Sequence, residues 1–350
     1  MKQGLVITTI AAPNAALKQF AAECKTRNIP FWLMGDAKSP RDFSLPDCHY
    51  WSIEKQKTLP FALQDLLPEN SYARKNLGYL LAIQTGCDRI LESDDDNFPT
   101  PAFFENTTAD VDVISLEQQG WVNIYHYFSD TTIWPRGLPL NHIKKAYPPL
   151  DSFQTKKVHC PIQQGLADDN PDVDAIYRLT QPLPIQFSGK QPVALGAHSW
   201  CPFNTQATVF FRPAFPLLYL PSTCNARLTD IWKSFVAQRI AWANDWHILF
   251  RPPTVWQERN EHNLMTDFAQ EVEGYLQNET LCRELDALDL KAGEAHIPDN
   301  MLICYDRMIE SGYIQPRERL LLQAWLEDIT ALSPAAFTSF QKPTGKHVNA

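Results

Sequence analysis

Over its first hundred residues the chain switches repeatedly between two hydrophobic periods, and few folds accept that pattern. "GLVITTI" is a short run of apolar and β-branched residues that reads as a buried strand. "PNAALKQFAAECKTRN" follows, with Leu17, Phe20, Ala21 and Cys24 on one stripe of a helix and Pro13 at its start. "IPFWLMGD" is a second strand and "HYWSI" a short third. "SYARKNLGYLLAIQTG" is a helix with Ser71 at the N-cap and Gly86 just past the C-cap, and "DRILES" is the next strand. Strands that are apolar on both faces and alternate with helices predict an α/β layer fold with a mixed, mostly parallel sheet.

In such sheets ligands bind beyond the carboxyl ends of the strands. Thr8 and Thr9, then Asp36 and Lys38, then Asp94, Asp95 and Asp96 all stand at strand carboxyl ends, so they are expected to converge. Three adjacent carboxylates repel one another, and a hard cation relieves that repulsion. An acidic turn would read the same way in isolation; an apolar strand leading into it favours a site. An EF-hand is excluded, because the required Gly and the twelfth-position Glu are absent. Arg74 and Lys75 fall in the first turn of a helix, where a cation opposes the helix dipole unless an anion lies at that end.

From about Asp110 to Pro253 the text becomes rich in Pro and aromatic residues. Short strands are expected at "DVDVISLE", "WVNIYHYF", "LPIQFS", "ATVFFRP" and "HILFRPPTVW", with one helix at "LTDIWKSFVAQRIAWAN". "LMTDFAQEVEGYLQNETLCRELDAL" and "ERLLLQAWLEDIT" are helical. The expected division is a catalytic-type domain over 1–262, a helical C-terminal extension over 263–336 and a flexible tail over 337–350.

With 350 residues, 44% of them hydrophobic, the chain can bury a large core. Its net charge of −9 argues against nucleic-acid binding but leaves room for a local basic pocket. No stretch approaches the roughly 20 apolar residues of a membrane span. The eight scattered cysteines lack any C-x-x-C pair, which reads as reduced thiols and a cytoplasmic protein. His198 and Cys201 have a ligand-like spacing without a second pair, which does not make a structural zinc site.

Assembled, "GDAKSPRDF", "SYARKNLGYLLAIQTGCDRILESDDDN", "IWPRGLPL", "FNTQATVFF" and "RLTDIWKSFVAQRIAW", followed by "PPTVW", resemble the STELLO family, a glycosyltransferase-like group named from plants. "DDDNF", "NPDVDA" and "TDIW" are more distantly similar to the reversibly glycosylated polypeptides, which are UDP-arabinopyranose mutases. Both resemblances imply a GT-A-like fold whose DxD-type motif holds Mn²⁺ or Mg²⁺ on the diphosphate of a nucleotide sugar. They place Asp94, Asp95 and Asp96 in the metal motif, and Thr8, Lys38, Arg74 and Lys75 on the nucleotide side. Asp230 takes the acceptor-facing acidic position, and Arg136 of "IWPRGLPL" reaches for the diphosphate. The family pattern nearer to D-x-D-D would fall here on Glu92-Ser93-Asp94-Asp95, so the ligands are Asp94 with Asp96 or Asp94 with Asp95. For the late histidine ligand of many such sites the chain offers Gln257 and then His262. The mutase likeness adds Asp172 and Asp174, which a helix cap explains equally. His198, Trp200 and Asn204 fall where the related families line an acceptor pocket. The implied function is transfer of a sugar from a UDP- or GDP-linked donor to a glycan or small-molecule acceptor. A nucleotide-sugar mutase and a catalytically silent scaffold are the alternatives.

Overall fold

The computed structural model describes residues 1–260 and 263–332. His262 and the 337–350 tail therefore lie outside the described residues. In chain order the elements are β1 (Gln3–Thr8), α1 (Ala15–Arg27), β2 (Phe31–Met34), β3 (His49–Trp51), α2 (Ile53–Gln56), α3 (Lys75–Gln84), β4 (Arg89–Ser93), β5 (Asn97–Pro99), β6 (Asp110–Leu116) and β7 (Gly120–Trp121). Then come β8 (Thr155–Asp168), α4 (Ala175–Thr180), β9 (Val193–Leu195), β10 (Ser199–Trp200), β11 (Ala207–Phe211), α5 (Thr229–Ala243), β12 (Trp246–Gln257), α6 (Leu264–Asp286), α7 (Ile297–Glu310) and α8 (Glu318–Leu332).

The first four main-sheet strands lie in the order β3-β2-β1-β4, all parallel. Side chains alternate across them as the pleat requires. Leu5, Ile7, Phe31 and Leu33 pack under α1, whereas Val6, Trp32 and Met34 pack under α3. Asn14 caps α1 by accepting from Leu17 N at 2.9 Å, one residue beyond Pro13. Gly78 lets α3 lie directly on β1: a Cβ there would sit 2.5 Å from Val6 Cγ1. Gly86, at φ +77°, ends the helix as its sequence position suggests.

Past β4 the sheet is mixed rather than mostly parallel. β11 runs antiparallel to both β4 and β8, while β8 pairs in parallel with β12. β8, β6, β9 and β12 hydrogen-bond in a closed ring, a small barrel appended to the open sheet. The long strand β8 alternates apolar Val158, Cys160 and Ile162 and then breaks the pattern at Gln163 and Gln164. Its buried amides bond across the fold: Gln163 Nε2 donates to Thr108 O at 2.7 Å, and Gln164 Nε2 to Asn204 Oδ1 at 2.5 Å, while Gln163 Oε1 is left without a partner. "WVNIYHYF" forms only the two-residue β7 and a 3₁₀ turn over Ile124–Tyr127, because Ile124, Tyr125 and Phe128 bury at helical rather than alternating spacing. "LPIQFS" contributes one bridge, Ile185 to Asp169, and α7 joins the two C-terminal helices expected from sequence.

Helices α6 to α8 share the core on the α3–α5 face, where Leu77, Trp232, Leu281 and Trp325 belong to one cluster. All eight cysteines are free. No helix among the described residues is long and apolar enough to cross a membrane. Asp328 of α8 accepts from Ala62 N and Leu63 N, both at 2.9 Å, and so pins the last helix to the turn before α3. Asp328→Ala leaves those donors without a partner, and urea denaturation is expected to show a loss of about 1–3 kcal/mol. A loss under about 0.5 kcal/mol, the scatter of neutral surface changes, would mean that this contact does not hold α8.

Candidate active site

A cleft of about 700 Å³ opens at the carboxyl ends of β1, β2 and β4. That volume suits a ligand larger than a single sugar. It lies where β1 is flanked by β2 on one side and β4 on the other, the switch point at which open α/β sheets bind ligands. Thr8, Thr9, Asp36, Lys38, Arg74 and the aspartate triplet line one wall. Arg136, Asp172, Asn204 and Asp230 line the other. Residues far apart in the chain thus meet at one edge.

On the first wall several side chains brace the loops. Asp36 accepts from Asn70 N at 2.7 Å and Ser71 N at 2.8 Å, fixing the entry to α3. Arg74 is buried and donates to Gln56 Oε1 at 2.6 Å and to Leu67 O at 3.2 Å. These internal acceptors, rather than a ligand alone, satisfy the cation at the helix start. Ser39 Oγ donates to Thr9 O at 2.7 Å and ties the β2 loop to the end of β1. Lys38 is exposed at the mouth.

Wholly buried Lys75 underlies the triplet. Its Nζ donates to Ser93 O at 2.8 Å and Tyr72 Oη at 2.9 Å, and lies 3.4 Å from Asp94 Oδ1. Tyr72 Oη donates to the same Asp94 oxygen at 2.6 Å. Asp95 accepts from Thr9 Oγ1 at 2.5 Å, and Asp96 from Gln257 Nε2 at 3.0 Å. Burial pushes the Asp94 carboxyl up to about 7; Lys75 pulls it down, and Asp96 adds to the rise. Burial also raises Asp95. Glu92, which would open a D-x-D-D frame, turns into the core instead, bonded to Tyr79 Oη and 3.3 Å from Lys233 Nζ.

Because the three aspartates turn to different partners, no group of three or more His, Cys, Asp or Glu gathers to hold a metal among the described residues. The chemistry of the donors nevertheless suits a hard cation. Asp94 and Asp96 both line the cleft with oxygen donors, and burial disfavours the Asp94 charge, a cost that a hard cation would offset.

The second wall is organised by Arg136. Its Nε and Nη2 each donate at 2.8 Å to the two oxygens of Asp172. Its Nη2 and Nη1 reach Asp230 at 2.8 and 3.1 Å. Burial opposes ionisation of Asp172, but Arg136 outweighs it and holds the carboxyl at about 2. Asn204 Nδ2 adds a bond to Asp172 at 2.8 Å. Asp230 sits in the first turn of α5 and is not the cap, which falls at Leu228.

Four sequence candidates lie outside the lining: Lys75, buried beneath the aspartates, and Asp174, His198 and Trp200. Asp174 caps α4 through Tyr177 N at 2.7 Å and accepts from Trp134 Nε1 at 2.7 Å; burial raises it to about 6. His198 is exposed at φ +56° and pairs with Asp286 at 3.0 Å. Trp200 packs among Trp121, Phe235 and Trp242, which makes it a core residue. Conversely, Tyr72, Thr205, Arg178, Arg227 and Arg259 line the cleft without having been singled out from sequence. Tyr72 stood beside the Ser71 cap and Arg227 three residues before Asp230, and proximity to those marks was the only signal.

No protein-family profile matches the chain. Two curated proteins of Arabidopsis thaliana do. It is 26% identical over 353 residues to "Probable glycosyltransferase STELLO1" and 26% identical over 350 residues to "Probable glycosyltransferase STELLO2". These similarities take in 94% and 93% of this chain and 44% of each relative, so the chain spans less than half the length of the proteins it resembles.

The raised Asp94 carboxyl has a consequence for stability. The native state keeps a proton that an unfolded Asp gives up near pH 3.9. Between there and about pH 7 the native state binds more protons, so this group makes stability fall as pH rises and then level off. Asp94→Asn removes that contribution. Its stability relative to wild type is expected to improve from pH 5 to pH 7.5 in metal-free urea titrations. A difference independent of pH would show that Asp94 is ionised throughout.

Proposed function

We propose that the chain transfers a sugar from a nucleotide-diphosphate donor to an acceptor hydroxyl, on a GT-A-like frame. The observation that carries this reading is the meeting of the Asp94–Asp96 wall with the Arg136–Asp230 wall across one cleft at the sheet's switch point. The printed names of the two plant relatives support it. In this reading Thr8, Thr9 and Lys38 form the nucleotide end, and the acceptor approaches Asp230.

Asp94 and Asp96 would hold a divalent cation, Mn²⁺ or Mg²⁺. When bound it offsets the negative charge of the diphosphate and of the leaving oxygen. Lys75 and Tyr72 keep the Asp94 carboxylate turned along the wall. Arg136 fixes the Asp230 carboxylate by two hydrogen bonds, and Asp230 accepts the acceptor's proton. Asp172 is held by a further bond from Asn204 Nδ2 beside the two from Arg136, which leaves it less free to take a proton. The mutase alternative drew on Asp172 and Asp174, and Asp174 caps a helix outside the cleft lining.

Calorimetry with UDP and GDP, first in EDTA and then in Mn²⁺, tests the donor end. Binding is expected only with the cation, and Asp94→Asn combined with Asp96→Asn should abolish the cation-dependent part. Equal affinity in both buffers would refute the metal bridge. Absence of any nucleotide binding would favour a silent scaffold. At the acceptor end, Asp230→Asn should keep nucleotide affinity and lose turnover by roughly 10²–10⁴-fold. Full activity in that variant would place the base elsewhere.

A further inference from the structure

Three guanidinium groups on the second wall have no part in the reaction as described: Arg178 of α4, Arg227 just before α5 and Arg259 just after β12. Two are matched by carboxylates from α6. Arg227 Nη2 lies 2.6 Å from Glu271 Oε1, and Arg259 Nη2 lies 2.6 Å from Asp267 Oδ2. Among the described residues no carboxylate pairs with Arg178. Its Nη2 donates to Pro171 O at 2.9 Å, its Nη1 reaches Asn170 Oδ1 at 3.4 Å, and its buried Nε has no partner. Burial lowers its pKa to about 10; Arg259 and Arg227 push the same way, and the carboxylates of Asp172 and Asp267 oppose them from a distance.

A half-buried cation without a carboxylate in hydrogen-bond contact, set beside two others, is costly to the fold. An incoming anion with two oxygens removes that cost, and a guanidinium fork is shaped for it. The location indicates which anion. Pro171, whose carbonyl holds Arg178, precedes Asp172, and Arg136 Nη1 donates to the carbonyl of Arg227. Arg178 and Arg227 therefore adjoin the Asp172–Arg136–Asp230 wall, Arg259 lies two residues after Gln257, which donates to Asp96 at 3.0 Å, and the proposed nucleotide end stands at Thr8 and Lys38.

We propose that the acceptor carries an anionic group, a phosphate or a carboxylate, which Arg178 receives between Arg227 and Arg259. This rests on the glycosyl-transfer reading for the word acceptor but not for the existence of the anion site.

The test titrates the whole chain with inorganic phosphate, glucuronate and neutral glucose, in a buffer free of other oxyanions, with and without UDP and Mn²⁺ at saturation. Phosphate or glucuronate should bind at least about tenfold more tightly than glucose, as a charge-assisted hydrogen bond warrants. The preferred anion separates a phosphorylated acceptor from an acidic sugar. Binding should survive saturation with UDP and Mn²⁺. Arg178→Gln should weaken it about tenfold or more, with Arg178→Lys retaining part of the affinity.

If UDP displaces the anion and Arg178→Gln weakens UDP equally, the arginines serve the donor diphosphate. The proposal then falls while glycosyl transfer stands. If UDP never binds but anion affinity depends on Arg178, glycosyl transfer falls and the anion site stands. Anion affinity unchanged in a folded Arg178→Gln variant overturns the proposal outright.

Discussion

Arg136 is a buried cation clamped between two carboxylates, and the second wall of the cleft hangs on it. Through Asp172 it holds the loop that follows β8; through Asp230 it holds the start of α5; through the Arg227 carbonyl it holds the turn between them. Such a network is poor evidence of net stability, because desolvating three charges consumes most of what their attraction returns. What it supplies is position. Removing any one member leaves an uncompensated buried charge, so the three segments adopt one arrangement together or lose it together.

Lys75 plays the corresponding part on the first wall. One buried ammonium reaches the carbonyls of Ser93 and Thr205 and the carboxylate of Asp94, so the ends of β4 and of the segment before β11 are joined to the start of α3. The same lysine answers why a cation stands in the first turn of a helix. Its ammonium meets carbonyl oxygens and a carboxylate at that end, and these outweigh the helix dipole.

The legible parts of this chain are those whose partners are close in sequence or whose faces alternate cleanly. β1, α1, β2, α3 and β4 each carry an apolar period matching their geometry; Gly86 marks the end of α3 by local chemistry alone, and Ser71 caps the 3₁₀ turn Tyr72–Arg74 that leads into it rather than α3 itself. β8 was not legible. Its interior contacts are made by Gln163 and Gln164 to partners about forty to fifty-five residues away, and no local pattern encodes those bonds. The closed ring through β8 and β12 is hidden for the same reason. In the cleft, aspartates at strand ends announced themselves because three adjacent like charges need a cause. Lone arginines did not, since a single Arg on a helix also reads as a solvated face. Trp200 and Asp174 misled because an aromatic residue and a cap have structural uses that the sequence does not separate from functional ones.

The two walls differ in what they lack. On the aspartate wall burial, with Asp96 adding to it, outweighs Lys75, and Asp94 keeps its proton up to about pH 7. On the arginine wall Glu271 and Asp267 pair with Arg227 and Arg259, and burial lowers Arg178, with Arg259 and Arg227 adding to the fall and Asp172 and Asp267 opposing it. Arg136 already spends its charge on Asp172 and Asp230. On the proposed reading a cation-bound diphosphate would meet the aspartate wall, and the proposed acidic acceptor would meet Arg178.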